Sequence, residues 1–209
     1  VILALDAATA TVVVGIADPS GRVLAERTLP GGRGDVIPGM VASLLDELSI
    51  GPDSIGSLLC GVGPGSFTGI RIALSFARGF AFRRDLPLGG VSSLAAAIAH
   101  PSIPTDSPRV ALLDALRGEV YVRRGDPAVA VGEEGTDIRV PLDRLRDFLQ
   151  GRPTVIAEGK PDFLANLPPG WMPVSRFVSA AGILAMKEHA GDPLPNYLRA
   201  SAPEELRGR

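Results

Sequence analysis

Ser57-Leu58-Leu59-Cys60-Gly61-Val62-Gly63-Pro64-Gly65-Ser66-Phe67-Thr68-Gly69-Ile70-Arg71 is the stretch on which the fold turns. The apolar run Ser57–Cys60 reads as a buried strand, and the apolar periodicity after Thr68 reads as a helix. Between them, from Gly61 to Gly69, lie four glycines and one proline in nine residues. Glycine accepts positive φ and lets two backbones come close. A helix N-terminus presents N–H groups without intrahelical partners. Two readings follow. Gly63, Gly65, Ser66, Thr68 and Gly69 are a candidate phosphate loop, or they are a tight strand-to-helix turn with Thr68 as N-cap and no ligand. No Gly-Lys-Ser/Thr is present, which excludes a Walker A loop. Ser66 stands where a G-x-G-x-x-G counted from Gly61 needs its third glycine. Nor is Ser66 a nucleophile elbow, because Gly65 and Phe67 flank it outside the G-x-S-x-G spacing.

Outward from this turn the elements fall into an order. Val1–Asp6, Thr11–Ala17 and Arg22–Leu29 are β-rich runs, the last two joined by the turn Asp18-Pro19-Ser20-Gly21. Asp35 is placed to cap a helix over Val36–Ser49, with Pro38 tolerated in its first turn. Ser57–Gly61, the helix Thr68–Phe82, the strand Pro87–Val91 and a short helix Ser92–His100 complete the half. That order resembles the ribonuclease-H-like unit of the actin/Hsp70/sugar-kinase superfamily. The second half begins again: Val110–Ala115 repeats the pattern of Ile2–Ala7, including an acid at the end of an apolar strand. Glu119–Arg123 is the next strand, Pro141–Gln150 a helix closed by Gly151, and Thr154–Ala157 a strand. Ser179 caps a last helix running to Ala190, ended by Gly191 and Pro193. The expectation is an α/β fold of two tandem ribonuclease-H-like domains, the second reduced. They cover residues 1–100 and 109–209, joined by the proline-rich linker 101–108.

With 209 residues and 45% apolar content the chain supports a real core. Its net charge of −2 argues against autonomous nucleic-acid binding, which calls for a basic face. Cys60 is the single cysteine, so neither a disulfide framework nor a thiolate metal site is expected. His100 and His189 are the two histidines and stand far apart, which leaves no metal-ligand spacing. The apolar opening Val1 to Val14 carries Asp6 and no basic flank, so it does not read as a signal peptide. No run reaches the roughly 18 residues of a membrane span. A cytoplasmic protein without membrane contact is expected.

Asp6 and Asp114 are the candidate carboxylate pair. In the superfamily, acids at such strand ends organise Mg²⁺ and nucleotide between two lobes. The other reading is that each carboxylate serves the turn that follows it through backbone N–H groups. Glu119 and Tyr121 alternate onto one strand face beside Arg117. On the helix Thr68–Phe82 an apolar arc of about 220° exceeds the roughly 100° that a one-sided helix needs. Such a helix asks for cover on two sides: its own sheet, and either the preceding helix or another chain. Met40, Leu44, Ile70, Ala73, Leu74, Ala77 and Ala81 are accordingly the candidate interface.

Gly63-Pro64-Gly65-Ser66-Phe67-Thr68-Gly69-Ile70-Arg71 resembles the signature of the TsaB (YeaZ) family, a partner in making threonylcarbamoyladenosine in tRNA. Three further segments agree in order and spacing: Ile2–Thr9, Asp114-Ala115-Leu116-Arg117-Gly118-Glu119-Val120-Tyr121, and Pro195-Asn196-Tyr197-Leu198-Arg199. Ala7 departs from the family's usual Thr, removing a hydroxyl, and Leu116 stands where Arg is often seen. The resemblance implies a non-catalytic partner of a TsaD-like transferase, with a TsaE-like ATPase in the assembly. It also implies a possible homodimer, and tRNA reached only through the complex. No intrinsic cofactor is expected beyond weak ATP and Mg²⁺, because neither a P-loop lysine nor a hydroxyl at position 7 is present to hold phosphate and metal. The alternative is a stand-alone ATPase or small kinase using Asp6, Asp114 and the Gly63–Gly69 loop.

Overall fold

Ile2–Asp6 (β1) is apolar at nearly every position, as a strand covered on both faces must be. In the structure, a computed structural model describing residues 1–126, 128, 135–149, 154–165, 167 and 177–198, β1 is the middle strand of five. Thr11–Ala17 (β2) and Val23–Pro30 (β3) pair antiparallel on one side of it. Ser57–Gly61 (β4) and Leu88–Val91 (β5) run parallel on the other, giving the order β3-β2-β1-β4-β5. The second sheet repeats this plan. Arg109–Leu116 (β6) pairs antiparallel with Glu119–Gly125 (β7), β7 antiparallel with Ile138–Pro141 (β8), and Thr154–Glu158 (β9) parallel with β6. The order β8-β7-β6-β9 is that of the first sheet less its fifth strand, among the described residues. The fold is thus the tandem, reduced α/β duplication that the sequence pattern implies.

Strand alternation divides the core into three clusters. Leu3, Leu5, Val12, Val14, Leu58 and Cys60 face the helices Ile37–Glu47 (α1) and Phe67–Arg84 (α2). Ala4, Val13 and Leu59 face the opposite way, toward Ser93–Ile98 (α3) and Ala180–Ala185 (α5). That central layer also receives Ala111, Leu113, Tyr121 and Ile156 from the second sheet. The far face of the second sheet, with Val110, Leu112 and Val120, packs against Leu142–Phe148 and against Phe163 of Pro161–Ala165 (α4). Small residues set the central spacing. A Cβ on Gly15 would lie 2.3 Å from Ala180 Cβ, and one on Gly182 would lie 2.2 Å from the Ala96 carbonyl.

Several boundaries differ from expectation, each for a local reason. Asp35 does not cap α1; it sits inside a 3-10 turn, Gly34–Val36, and Val36 occupies the N-cap without a side-chain bond. Residues 142–148 are 3-10 rather than α-helical, the usual form of a segment too short to repay α-helix nucleation. Gln150 and Gly151, expected to close that element, lie outside the described residues. The last helix keeps its Ser179 cap but ends at Ala185, followed by a 3-10 turn, Lys187–His189. Just beyond it the chain is drawn off by paired backbone bonds between Gly191 and Gly90. No helix among the described residues is long and apolar enough to cross a membrane.

Candidate functional site

The glycine loop meets the turn after β1, and its glycines are explained by what they touch. A Cβ on Gly61 would fall 1.7 Å from Asp6 Oδ2, one on Gly65 2.0 Å from the Ala8 carbonyl, and one on Gly69 1.8 Å from the Ala7 carbonyl. Gly63 and Gly65 also take positive φ, 95° and 154°, and the Gly63–Pro64 peptide is cis. The Ser66 N–H donates to the Ala8 carbonyl at 2.7 Å. The loop therefore wraps the chain's own backbone. Its last residue before the helix is Ser66, and Ser66, not Thr68, is the N-cap: its Oγ accepts from the Gly69 N–H at 3.2 Å. Periodicity pointed to Thr68 because the apolar pattern starts at Ile70, but the helix begins earlier, at Phe67, and runs to Arg84.

The two strand-end acids make the same local turn and then part company. Asp6 Oδ1 accepts from the Ala8 N–H at 2.7 Å, and Asp114 Oδ1 accepts from the Leu116 N–H at 2.7 Å. Both serve the residue two positions on, an Asx turn repeated in each half. Asp6 is fully buried, and its second oxygen accepts from Ser93 Oγ at 2.6 Å. Burial raises its pKa from 3.8 to about 6 against the opposing pull of these hydrogen bonds. Asp114 is half-buried, and its second oxygen faces the Lys160 N–H at 3.4 Å. It lines a cleft of about 620 Å³ between the two sheets.

Across that cleft, Thr9, Ser66 and Phe67 of the first half face Asp114, Tyr121, Glu158 and Lys160 of the second. Glu158 ends β9 and reaches over to accept from the Ala10 N–H at 2.6 Å. Desolvation pushes its carboxyl upward, while the Ala10 and Thr9 hydrogen bonds pull it back. Sequence reading missed Glu158 and Lys160. Their signal was position alone, at the end of a parallel strand where open α/β folds collect ligand groups. A Mg²⁺–nucleotide of the superfamily's kind does not fit the groups present: Asp6 is turned inward to Ser93, position 7 carries no hydroxyl, and the Ser66 amide is committed to Ala8. Among the described residues, no three His, Cys, Asp or Glu side chains gather as a metal site.

The candidate interface residues lie mostly inside the chain. Ile70, Ala73 and Ala77 are fully buried in this chain's own core, as are Leu44, Leu74 and Ala81 to within a few per cent, and Met40 is half-buried. The wide apolar arc of α2 is covered by its own sheet on one flank. On the other, Phe76 and Phe80 are half-buried against the same cluster, and half-buried Ile72 packs close to Gly34. What α2 leaves outside is Thr68, Arg71, Ser75, Arg78, Gly79, Phe82 and Arg83. Phe82 is 90% exposed. Gly79 in the middle of α2 and Gly39 in the first turn of α1 have nothing within 4 Å of an added Cβ. No contact among the described residues accounts for either.

Residues 34–183 match a family model described as TsaD: tRNA N6-adenosine threonylcarbamoyltransferase. The chain is 36% identical over 106 residues to the tRNA threonylcarbamoyladenosine biosynthesis protein TsaB of Escherichia coli, covering 49% of this chain and 46% of that protein. It therefore aligns with under half the length of that relative. It is 30% identical over 206 residues to an uncharacterized protein of Mycobacterium tuberculosis, covering 95% of this chain and 91% of the other. The structure of YeaZ from Pseudomonas aeruginosa superposes with a TM-score of 0.76 at 26% identity, covering 94% of this chain and 99% of that one.

Proposed function

This chain belongs to the TsaB/YeaZ family, and from that premise we propose that it is the non-catalytic partner of a TsaD-like transferase in threonylcarbamoyladenosine formation in tRNA. The transferase moves a threonylcarbamoyl group from its adenylate to the adenosine beside the anticodon. This chain supplies a docking surface, a TsaE-like ATPase joins the assembly, and tRNA is met only through the complex, in the cytoplasm. The observation that carries this reading is the outer side of α1 and α2. Mid-helix glycine costs roughly 0.5–1 kcal/mol relative to alanine, and Gly79 carries that cost with open space above it, as Gly39 in the first turn of α1 also has. A glycine there lets a second helix approach closely, and Phe82 beside it offers a large apolar anchor. Self-association through the same face is the competing use of one surface.

The stand-alone ATP-dependent enzyme is the weaker reading, because Asp6 is sealed from the cleft and the loop is filled by the Ala7 and Ala8 carbonyls. The deciding experiment uses Gly79→Ala and Gly79→Gln in the full chain with the TsaD-like subunit of the same organism. Gly79→Ala should raise the stability of the free chain by about 0.5–1 kcal/mol, as a relieved helix glycine does. Gly79→Gln should fold normally yet lose binding in calorimetry and fail to support modification in a reconstituted reaction. Undiminished binding by Gly79→Gln would remove this face from the proposal. Low-micromolar ATP affinity of the free chain, abolished by Asp114→Asn, would favour the enzyme instead.

A further inference from the structure

The segment 190–198, which carries the late Pro195-Asn196-Tyr197 motif, crosses from the edge of the first sheet to the start of α2. It is held at four places. Gly191 and Gly90 exchange backbone bonds at 2.8 and 3.0 Å. The Pro193 carbonyl accepts from Arg78 Nη2 on α2. The Asn196 N–H donates to the Val62 carbonyl at 2.8 Å, inside the glycine loop. Tyr197 stacks on Phe67, the first residue of α2, with ring centroids 4.6 Å apart, and Arg71 covers the same ring at 4.5 Å.

The Asn196 side chain adds a fifth tie of a different kind. Its Nδ2 donates to Asp137 Oδ2 at 2.6 Å. Asp137 also accepts from Ser92 Oγ, the cap of α3, at 2.7 Å, and from Arg123 Nη1 on β7 at 3.0 Å. Its side chain is only 5% exposed. One buried carboxylate thus gathers donors from the first half, the second half and the strap. A Cβ on Gly63 would stand 3.3 Å from the Asn196 carbonyl, so loop and strap are in direct contact.

We propose that Asn196 and Tyr197 are positioning residues: through Asp137 and Phe67 they strap the glycine loop and the first turn of α2 into the arrangement in which α2 docks its partner. The docking half of this statement rests on the function proposed above; the strapping half does not. A residue that merely adds stability slows exchange everywhere, whereas a positioning residue acts on one segment.

Asn196→Asp is the sharpest probe, since it is isosteric and sets a second carboxylate 2.6 Å from Asp137 in place of a donor. In the full chain, Asn196→Asp should speed amide exchange at Val62 and across Ser66–Ile70 by about tenfold or more, the scale of losing a hydrogen bond to a charged group, and Tyr197→Ala, which removes the stack on Phe67, should speed exchange at the same amides. Amides of β1 and β6 should exchange as in the wild type. Tyr197→Phe, which keeps the ring, should restore wild-type exchange. Affinity for the TsaD-like subunit should fall by about tenfold in the first two variants and not in the third. Exchange that is unchanged, or raised equally throughout, overturns the strap. Faster local exchange with undiminished binding, where the wild type binds, overturns its link to docking. If the wild type does not bind the subunit, the proposed function fails while the exchange data still decide the strap.

Discussion

Asp6 shows how one buried group governs behaviour without touching solvent. Its carboxyl titrates at about 6 in the folded chain against 3.8 in an ordinary setting, mainly because burial disfavours the charge. The folded state therefore holds this proton more tightly than the unfolded chain does. Its contribution to stability is present below pH 3.8 and is lost as pH rises through about 6, with an amplitude on the order of 3 kcal/mol. Asp6→Asn removes that titration while leaving an oxygen for the Ala8 N–H. Relative to the wild type, the variant should gain stability from pH 4 to pH 8, measured by urea unfolding at several pH values. An equal difference at both ends would show that Asp6 keeps its ordinary pKa. The acid itself was visible in the sequence as the end of an apolar strand. Its partner Ser93 was not, because the two are far apart in the chain and meet only when α3 packs on β1.

At the scale of elements, α2 is the most informative. Its apolar arc correctly announced two-sided burial, and its neighbour α1 supplies part of the second side. Periodicity placed the cap two residues late, since a cap is fixed by backbone geometry and the Ser66 Oγ, not by where apolar residues begin. Ser66→Ala should therefore cost about 1 kcal/mol, the usual loss for a serine cap. Thr68→Ala, on an exposed first-turn position, should change stability little. Thermal unfolding of the two variants side by side distinguishes them, and the reverse ranking would restore Thr68 as the cap. Ala73, Ala77 and Ala81 are buried in this chain, and small residues on a helix face read alike in sequence whether a sheet or another chain covers them.

For the whole molecule, the central layer matters most, because α3 and α5 are packed between both sheets in one cluster. Leu94 of α3 is fully buried there. Leu94→Ala should cost about 2–5 kcal/mol, as core truncations do, and should shift one transition common to both sheets. Exchange at β4 and β6 amides reports each sheet separately; a loss confined to one would show that the halves unfold independently. The succession of elements along the chain, the repeat of its pattern, the strand-end acids and the glycine turn were all written in the sequence, because alternation, periodicity and backbone permissiveness are local properties. The tertiary structure alone decided what those features face. The loop glycines meet the Ala7 and Ala8 carbonyls, Asp6 faces inward to Ser93, and Glu158 reaches across to Ala10. Each of these depends on contacts between residues distant in the chain, which spacing along the sequence does not encode.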